Sequence, residues 1–336
     1  MKTVKVKFAG TCPGFEPEWM ELYNILKRHY DVQIVEEDPD YILCDAFEPF
    51  YDYVRYPQVR IMVNGENYIP DFNLVDYSIS RYPIQFGDRN FYLPGCVYPI
   101  SHWLELAKKD RNYDQAFLRE KRYFANFISS HESENGLRGG FFKKLCEYKR
   151  VESPGSYLNN MPDAAPVRWD NSSKTNFQRQ CKFTLCFEST AHYGFITEKI
   201  TDAFYSDTIP VYYGSANITD IFNKDAFINC ADYDSFDAVI EKIKELDQDD
   251  EKYLAMLRQP ILVDPEYPQR LLDEMDAFVR NIFDQPKEKA YRRSRVYMPK
   301  RYDDEIREFN QKRYYSLRVR GKEALRGILH RMTGKR

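Results

Sequence analysis

The sequence predicts an α/β protein built of two Rossmann-like domains that face a central cleft. Three observations carry that expectation. Residues 182–214 read as a complete strand, loop, helix and strand. Short β-prone runs followed by helical patterns recur on both sides of it, and a charged stretch at 108–121 parts the two halves. The unit at 182–214 is the centre of the chain. Phe183, Leu185, Cys186 and Phe187 make its first strand, and Ile209, Val211, Tyr212 and Tyr213, ended by Gly214, make its second. Between them Thr197 stands as the N-cap of a helix whose Ile200, Ala203 and Phe204 share one face. A helix that starts at a strand's end offers backbone N–H groups and the positive end of its dipole, and Lys199 adds a point charge. A diphosphate is the natural guest.

In chain order, Val4–Phe8 alternates as a half-buried strand, and a helix follows from about Glu18 to Arg28 with Trp19, Leu22, Tyr23 and Leu26 on one face. Residues 32–35, 41–44 and 60–63 read as further strands. The last of them runs into Asn64-Gly65-Glu66-Asn67. Ligands bind at strand C-terminal ends in such sheets, so Glu66 stands where a catalytic carboxylate faces a cleft. On position alone, a turn carboxylate that caps backbone N–H groups explains it more simply. Asp71, Asn73 and Asp76 either shape a pocket or form Asx turns, and the sequence leaves both readings open. A helix at 101–107 and the charged stretch then lead to a second sheet, beginning at 123–128. Arg138 opens a helix with Phe141, Phe142 and Leu145; there it either meets phosphates bidentately or is a surface arginine on a first turn. Residues 151–160 are a strand end and glycine loop, 161–175 an irregular segment, 227–230 a strand and 236–246 a helix. Asp232-Tyr233-Asp234 has the DxD pattern of some manganese sites but sits just before a helix, where Asp234 reads as an N-cap; no metal is assigned. The last apolar helix, 268–283, presents Leu271, Met275, Val279 and Ile282 on one side.

The net charge of −3 conceals an asymmetry: residues 287–336 hold 17 Lys/Arg against 6 Asp/Glu, or +11, leaving −14 on residues 1–286. Leu317, Gly321, Ala324, Leu325, Ile328, Leu329 and Met332 line one helical face, with Arg318, Lys322, Arg326, His330 and Arg331 mostly off it. A basic amphipathic helix suits an anionic membrane surface at about 1 kcal/mol per basic residue. No nucleic-acid motif accompanies the charge, so nucleic acid is not the expected partner. Seven cysteines stand singly, with no CxxC and no histidine at ligand spacing, which argues against a disulfide framework and a zinc site. The first residues hold no apolar run long enough for a signal or anchor. A bacterial protein of the reducing cytoplasm, peripheral on the inner face of the membrane, is expected.

Three segments carry a resemblance. FTLCFES at 183–189, FITEKITDAF at 195–204 and TIPVYYG at 208–214 together resemble the signature of the α-1,3/4-fucosyltransferases, enzymes that use GDP-fucose. RIMVNGENYIPDFNLVDYSIS at 60–80 is similar to the family's GEN…PDFN…DY segment, and SPGSYLNNM at 153–161 is a weaker match. The resemblance implies the GT-B architecture. It implies an acceptor-side domain at 1–118, to which helix 268–284 crosses back, a GDP-fucose-binding domain at 119–267 and the basic tail at 285–336. It also implies inverting transfer of L-fucose from GDP-β-L-fucose to a GlcNAc or Glc hydroxyl of a LacNAc-type oligosaccharide, in α-1,3 or α-1,4 linkage. In that reading Glu66 is the general base. Arg138, Thr197, Glu198 and Lys199 meet the donor with no cofactor and no metal strictly required. Asn67, Asp71 and Asn73 lie on the acceptor side. The family carries tyrosine where this chain has Phe195, so that phenol's hydrogen bond to the donor is absent; Tyr193 is the neighbouring phenol. Glu188 supports the loop or pairs with Arg138 or Lys199. The alternatives are transfer of a different nucleotide sugar and a catalytically silent, membrane-associated glycan-binding protein.

Overall fold

The computed structural model describes residues 1–47, 50–95, 100–162, 172–314 and 321. Its contacts fall into two compact units, Met1–Tyr92 with Glu274–Arg336, and Leu93–Asp273. The first unit begins with β1 (Thr3–Ala9), α1 (Glu21–His29), β2 (Asp31–Ile34), β3 (Tyr41–Cys44), β4 (Val59–Val63), β5 (Tyr77–Ser80) and β6 (Asn90–Tyr92). Among the described residues these strands form one parallel sheet in the order β2-β1-β3-β4-β5-β6. The pattern follows from burial. Central β3 is buried along its whole length, whereas β1 buries Val4 and Val6 and leaves Lys5 and Lys7 half-buried. Helix α1 turns Leu22, Tyr23, Ile25 and Leu26 inward. Trp19, expected on that face, lies instead in a preceding 3₁₀ turn and is nearly half exposed, because the Pro17 turn ends before the helix begins.

The second unit holds α2 (Ile100–Ala107), α3 (Gln115–Leu118), β7 (Tyr123–Asn126), α4 (Leu137–Cys146), β8 (Val151–Glu152), α5 (Ser172–Gln178), β9 (Cys181–Phe187), α6 (Glu198–Tyr205), β10 (Ile209–Tyr213), β11 (Ile228–Asn229), α7 (Phe236–Gln248) and α8 (Asp250–Leu257). Its sheet runs β11-β10-β9-β7-β8, again parallel. Phe183, Leu185 and Phe187 of β9 join Phe141 and Phe142 of α4 in an aromatic-rich core. The charged stretch 108–121 belongs to this unit, so the division falls at Tyr92/Leu93 rather than after residue 118. Lys109 pairs with Asp207 at 2.6 Å and Lys121 donates to Asp207 O at 2.7 Å, which ties the stretch to the start of β10. Ser235 Oγ, not Asp234, caps α7 by accepting from Ala238 N.

The chain returns to the first unit within α9 (Tyr267–Phe283), whose Leu271, Met275, Val279 and Ile282 are buried as their spacing predicts. It ends, among the described residues, in α10 (Tyr297–Tyr314). Residues 287–310 are therefore not the start of a separate tail. Arg292 pairs with Asp88 at 2.6 Å, Arg293 with buried Asp76, and Asp303 with fully buried Arg60. Most basic residues of 287–310 are paired with carboxylates, as Lys287 is with Asp40 and Arg307 with Asp303. The expected amphipathic face from Leu317 to Met332, Gly321 apart, lies outside the described residues. Among the described residues no helix is long and apolar enough to cross a membrane.

Candidate active site

In the second unit the chemistry gathers where β9 ends and α6 begins. Glu188 follows the last residue of β9 and is buried. It accepts from Thr197 N at 2.7 Å, from Thr197 Oγ1 at 2.7 and 3.0 Å, and from Lys199 Nζ at 3.0 Å. One carboxylate thus fixes the cap residue and the lysine of the next helix. Thr197 occupies the N-cap position with extended backbone, yet its hydroxyl makes no cap bond; it donates to Glu188 and accepts from Lys199 Nζ instead. Lys199 is not an isolated point charge; its Nζ also donates to Thr197 Oγ1 at 2.8 Å. Of the two roles open to Glu188, pairing with Lys199 is direct, and Arg138 feels its charge without an ion pair. Gly214 makes this closeness feasible: a Cβ there would lie 2.6 Å from Glu188 Cγ.

Arg138, on the first turn of α4, is buried rather than a surface arginine. Its Nη1 donates to Ser129 Oγ at 2.8 Å and His131 O at 2.7 Å, and its Nη2 to Phe187 O at 2.8 Å. The guanidinium therefore ties the loop after β7 to the end of β9, and Nε is buried without a partner. Burial lowers its proton affinity and the Glu188 charge opposes that. The loop of the third motif lies over the same place. Gly155 passes so close that a Cβ would stand 2.6 Å from Ser129 O, and Tyr157 N donates to that oxygen at 2.9 Å.

The left-handed turn at Gly194 (φ +87°) is held by Ser215 Oγ at 2.7 Å and Asn217 Oδ1 at 3.1 Å. It separates an exposed Tyr193 from a buried Phe195. Glu198 is half-buried on the first turn of α6. Lys174 of α5, from the segment expected to be irregular, meets Asp202 of α6 at 2.6 Å; burial works against its proton, but the charges of Asp202 and then Glu198 outweigh this and raise its proton affinity. Sequence reading missed this lysine because residues 161–175 lack apolar periodicity; 163–171 lie outside the described residues.

In the first unit the turn after β4 is built by Asn64. Its Oδ1 accepts from Glu66 N at 2.8 Å, and its side-chain amide donates to Tyr68 O. Glu66 itself is exposed, and its turn-mate Asn67 accepts from the hydroxyl of Tyr82. Asp71 and Asn73 form the Asx turn: Asp71 Oδ1 accepts from Asn73 N at 2.9 Å, while Tyr302 of α10 donates to Asp71 Oδ2 at 2.8 Å. Asp76 is buried and structural. The structure thus brings Glu66 and Asn67 together, and keeps Asp71 with Asn73 on a turn whose carboxylate is already engaged.

A carboxyl missed by the sequence reading stands beside Glu66. Asp45 directly follows β3 as Glu66 follows β4, so the strand-end rule that selects Glu66 points to it equally. Burial, with the Glu66 charge, pushes it up to about 7, opposed by Arg81 and the N–H groups of Ala46 and Gly65. With a folded value above its unfolded one, Asp45 binds more protons folded than unfolded. Stability therefore falls as pH rises from about 4 to 7. Asp45→Asn is expected to flatten that slope and to gain about 1–2 kcal/mol on wild type at pH 8, read by chemical denaturation at several pH values. Equal slopes for the two proteins contradict this assignment.

Among the described residues no group of three His, Cys, Asp or Glu is placed to hold a metal ion. Two parallel α/β units, with a helix N-terminus and paired cation at a strand end, are the parts of a GT-B glycosyltransferase fold. The comparisons agree and go further. The alpha-(1,3)-fucosyltransferase FucT N-terminal domain matches residues 6–98, and the C-terminal model of glycosyltransferase family 10 (fucosyltransferase) matches residues 118–258. Alpha-(1,3)-fucosyltransferase FucT of Helicobacter pylori is 30% identical over 294 residues, 78% of this chain and 59% of the relative. The chain thus spans somewhat over half the length of that relative. A crystal structure of an alpha1,3-fucosyltransferase superposes with a TM-score of 0.72 at 26% identity, covering 88% of this chain and 93% of the other. One solved with GDP-fucose gives a TM-score of 0.64 at 25% identity, covering 82% and 91%. The chain belongs to glycosyltransferase family 10, the fucosyltransferases.

Proposed function

We propose that the protein is an inverting fucosyltransferase that moves L-fucose from GDP-β-L-fucose to a GlcNAc or Glc hydroxyl of an oligosaccharide, in α-1,3 or α-1,4 linkage. The observation that carries the reading is buried Glu188 holding Thr197 and Lys199 at the start of α6, beside Arg138, within the matched motifs. The acceptor hydroxyl attacks the anomeric carbon of fucose and gives its proton to Glu66 as the bond to GDP breaks, so configuration inverts. The departing diphosphate gains negative charge, which the N–H groups at the start of α6, Lys199 and Arg138 are suited to meet. The reaction in this form asks no metal of the chain. Asn67, Asp71 and Asn73 stand on the acceptor side. The basic residues beyond 314 seat the enzyme on the cytoplasmic face of an anionic membrane.

The test is GDP release from GDP-fucose with N-acetyllactosamine, lactose and the type 1 disaccharide as acceptors. Acceptor-dependent release is expected. Lys199→Gln is expected to weaken GDP binding about 10- to 100-fold, since a charge-assisted contact of about 1.5–3 kcal/mol goes with it. One observation favours a different nucleotide sugar: Phe195 stands where the family has tyrosine, and its ring is turned into the fold. Release from another donor but not from GDP-fucose establishes that second reading. Failure to bind any nucleotide sinks both.

A further inference from the structure

The second unit carries a cavity away from the strand ends just described. About 250 Å³ in volume, it lies between the end of α2 and residues 260–265, lined by Leu106, Lys109, Arg111, Arg258, Ile261 and Leu262. Lys109 joins it to Asp207, which precedes β10, whereas Glu188 and Gly214 follow the far ends of parallel β9 and β10. The cavity and the candidate donor site therefore sit at opposite ends of the strands of one sheet.

Arg111 is the unusual member. It is only 9% exposed, and its Nε, Nη1 and Nη2 are all buried without a hydrogen-bond partner. Its neighbours are already engaged. Lys109 Nζ reaches Asp207 at 2.6 Å and Tyr205 O at 2.8 Å, and Arg258 Nε donates to Tyr113 O at 2.8 Å. The rings of Tyr113 and Phe204 lie 5.7 and 5.8 Å from the guanidinium carbon and steady its plane. Asp207, the carboxylate whose charge reaches Arg111, is taken up by Lys109 and the Tyr113 hydroxyl. Five N–H donors of an always-charged group thus lie buried in the wall of a cavity whose local balance is positive. A buried guanidinium with no acceptor is strongly unfavourable, and its planar fork matches two oxygens of one anion.

We propose that this cavity binds a small oxyanion, the phosphate or carboxylate group of a metabolite-sized ligand, with Arg111 as its bidentate anchor. The site is separate from the fucosyl-transfer chemistry and stands whether or not that reading does.

The full chain, in phosphate-free buffer at constant ionic strength, is titrated with inorganic phosphate and, separately, with malonate while the thermal unfolding midpoint is followed. A saturable rise of roughly 2–4 °C is expected from the probe whose geometry fits. The same rise is expected in Lys199→Gln, which weakens the candidate donor site, and none in Arg111→Met. In probe-free buffer Arg111→Met is expected to melt at or above the wild-type midpoint, because an apolar side chain replaces an unpaired buried charge. Arg111→Lys keeps the charge without the fork and is expected to bind about 10-fold more weakly. A rise with phosphate alone identifies a phosphoryl ligand, and one with malonate alone a carboxylate. No saturable rise from either probe overturns the proposal. So does a rise that survives in Arg111→Met, or one lost in Lys199→Gln instead.

Discussion

Glu66→Gln is expected to slow fucosyl transfer by about 10²–10⁴-fold, the usual contribution of a positioned general base, with GDP affinity little changed. The amide is isosteric, so it preserves the turn and removes only the ability to accept a proton. That turn does not depend on the carboxylate: Asn64 fixes it through Glu66 N, and Tyr68 N donates to Glu66 O at 2.8 Å. The Glu66 side chain is exposed at the end of β4, where a hydroxyl can reach it. Rates with saturating GDP-fucose and N-acetyllactosamine, together with calorimetric GDP binding, separate chemistry from folding. Parallel loss of GDP affinity means that the change disturbed more than a base. Undiminished turnover removes Glu66 from the role and turns attention to Asp45, the neighbouring carboxyl at the end of β3. Asp71 is the weaker substitute, since both of its oxygens are engaged by Asn73 and Tyr302.

What could be read in advance was whatever hydrophobic burial writes into the sequence. Strands β9 and β10 and helix α6 were legible because a parallel strand covered on both faces is an almost unbroken apolar run, and because α6 keeps Ile200, Ala203 and Phe204 in period. Strand β5 was not, since Ser78 and Ser80 interrupt so short a run, although both are buried. Helix α10 was missed for a related reason. Its sequence, YMPKRYDDEIREFNQKRY, has only a thin apolar stripe, of which Ile306 packs on the core, and it attaches largely through ion pairs that leave no periodic trace. The cap of α7 turned on one residue, Ser235 in place of Asp234, which is finer than spacing resolves. Glu188, Thr197 and Lys199 were identifiable as a group. Their mutual pairing was not, because it depends on Gly214, across the sheet, leaving room for the Glu188 side chain. The burial of Arg111 inside an apparently charged linker was equally out of reach.

Asp76→Ala is expected to destabilise the protein by about 3–5 kcal/mol, the usual cost of removing one partner of a buried pair. Asp76 is fully buried and receives four donors: Arg60 N at 2.9 Å, Arg292 N at 2.8 Å, Arg293 N at 2.9 Å and the Arg293 guanidinium. One carboxylate thus joins the start of β4 to a segment more than two hundred residues later in the chain. Burial already holds the Arg293 proton affinity down, to about 10, and Asp76 is the charge that most opposes this. Without it the buried guanidinium loses its counter-charge and keeps only the Pro57 and Gln58 carbonyls at 2.8 and 3.0 Å, and three backbone N–H groups lose their acceptor. Asp76→Asn, which retains an acceptor oxygen, is expected to lose less. The ion pair is isolated by a double-mutant cycle with Arg293→Met, for which a coupling of about 2 kcal/mol is expected. Urea unfolding of the four proteins measures it. Additive losses place the contribution of Asp76 in its backbone bonds alone. A loss below about 1 kcal/mol for Asp76→Ala contradicts the structural role of residues 287–310 altogether. The larger loss has a functional corollary for the proposed reaction: Glu66 follows the far end of β4, so a first unit without its C-terminal clasp is expected to lose turnover together with stability.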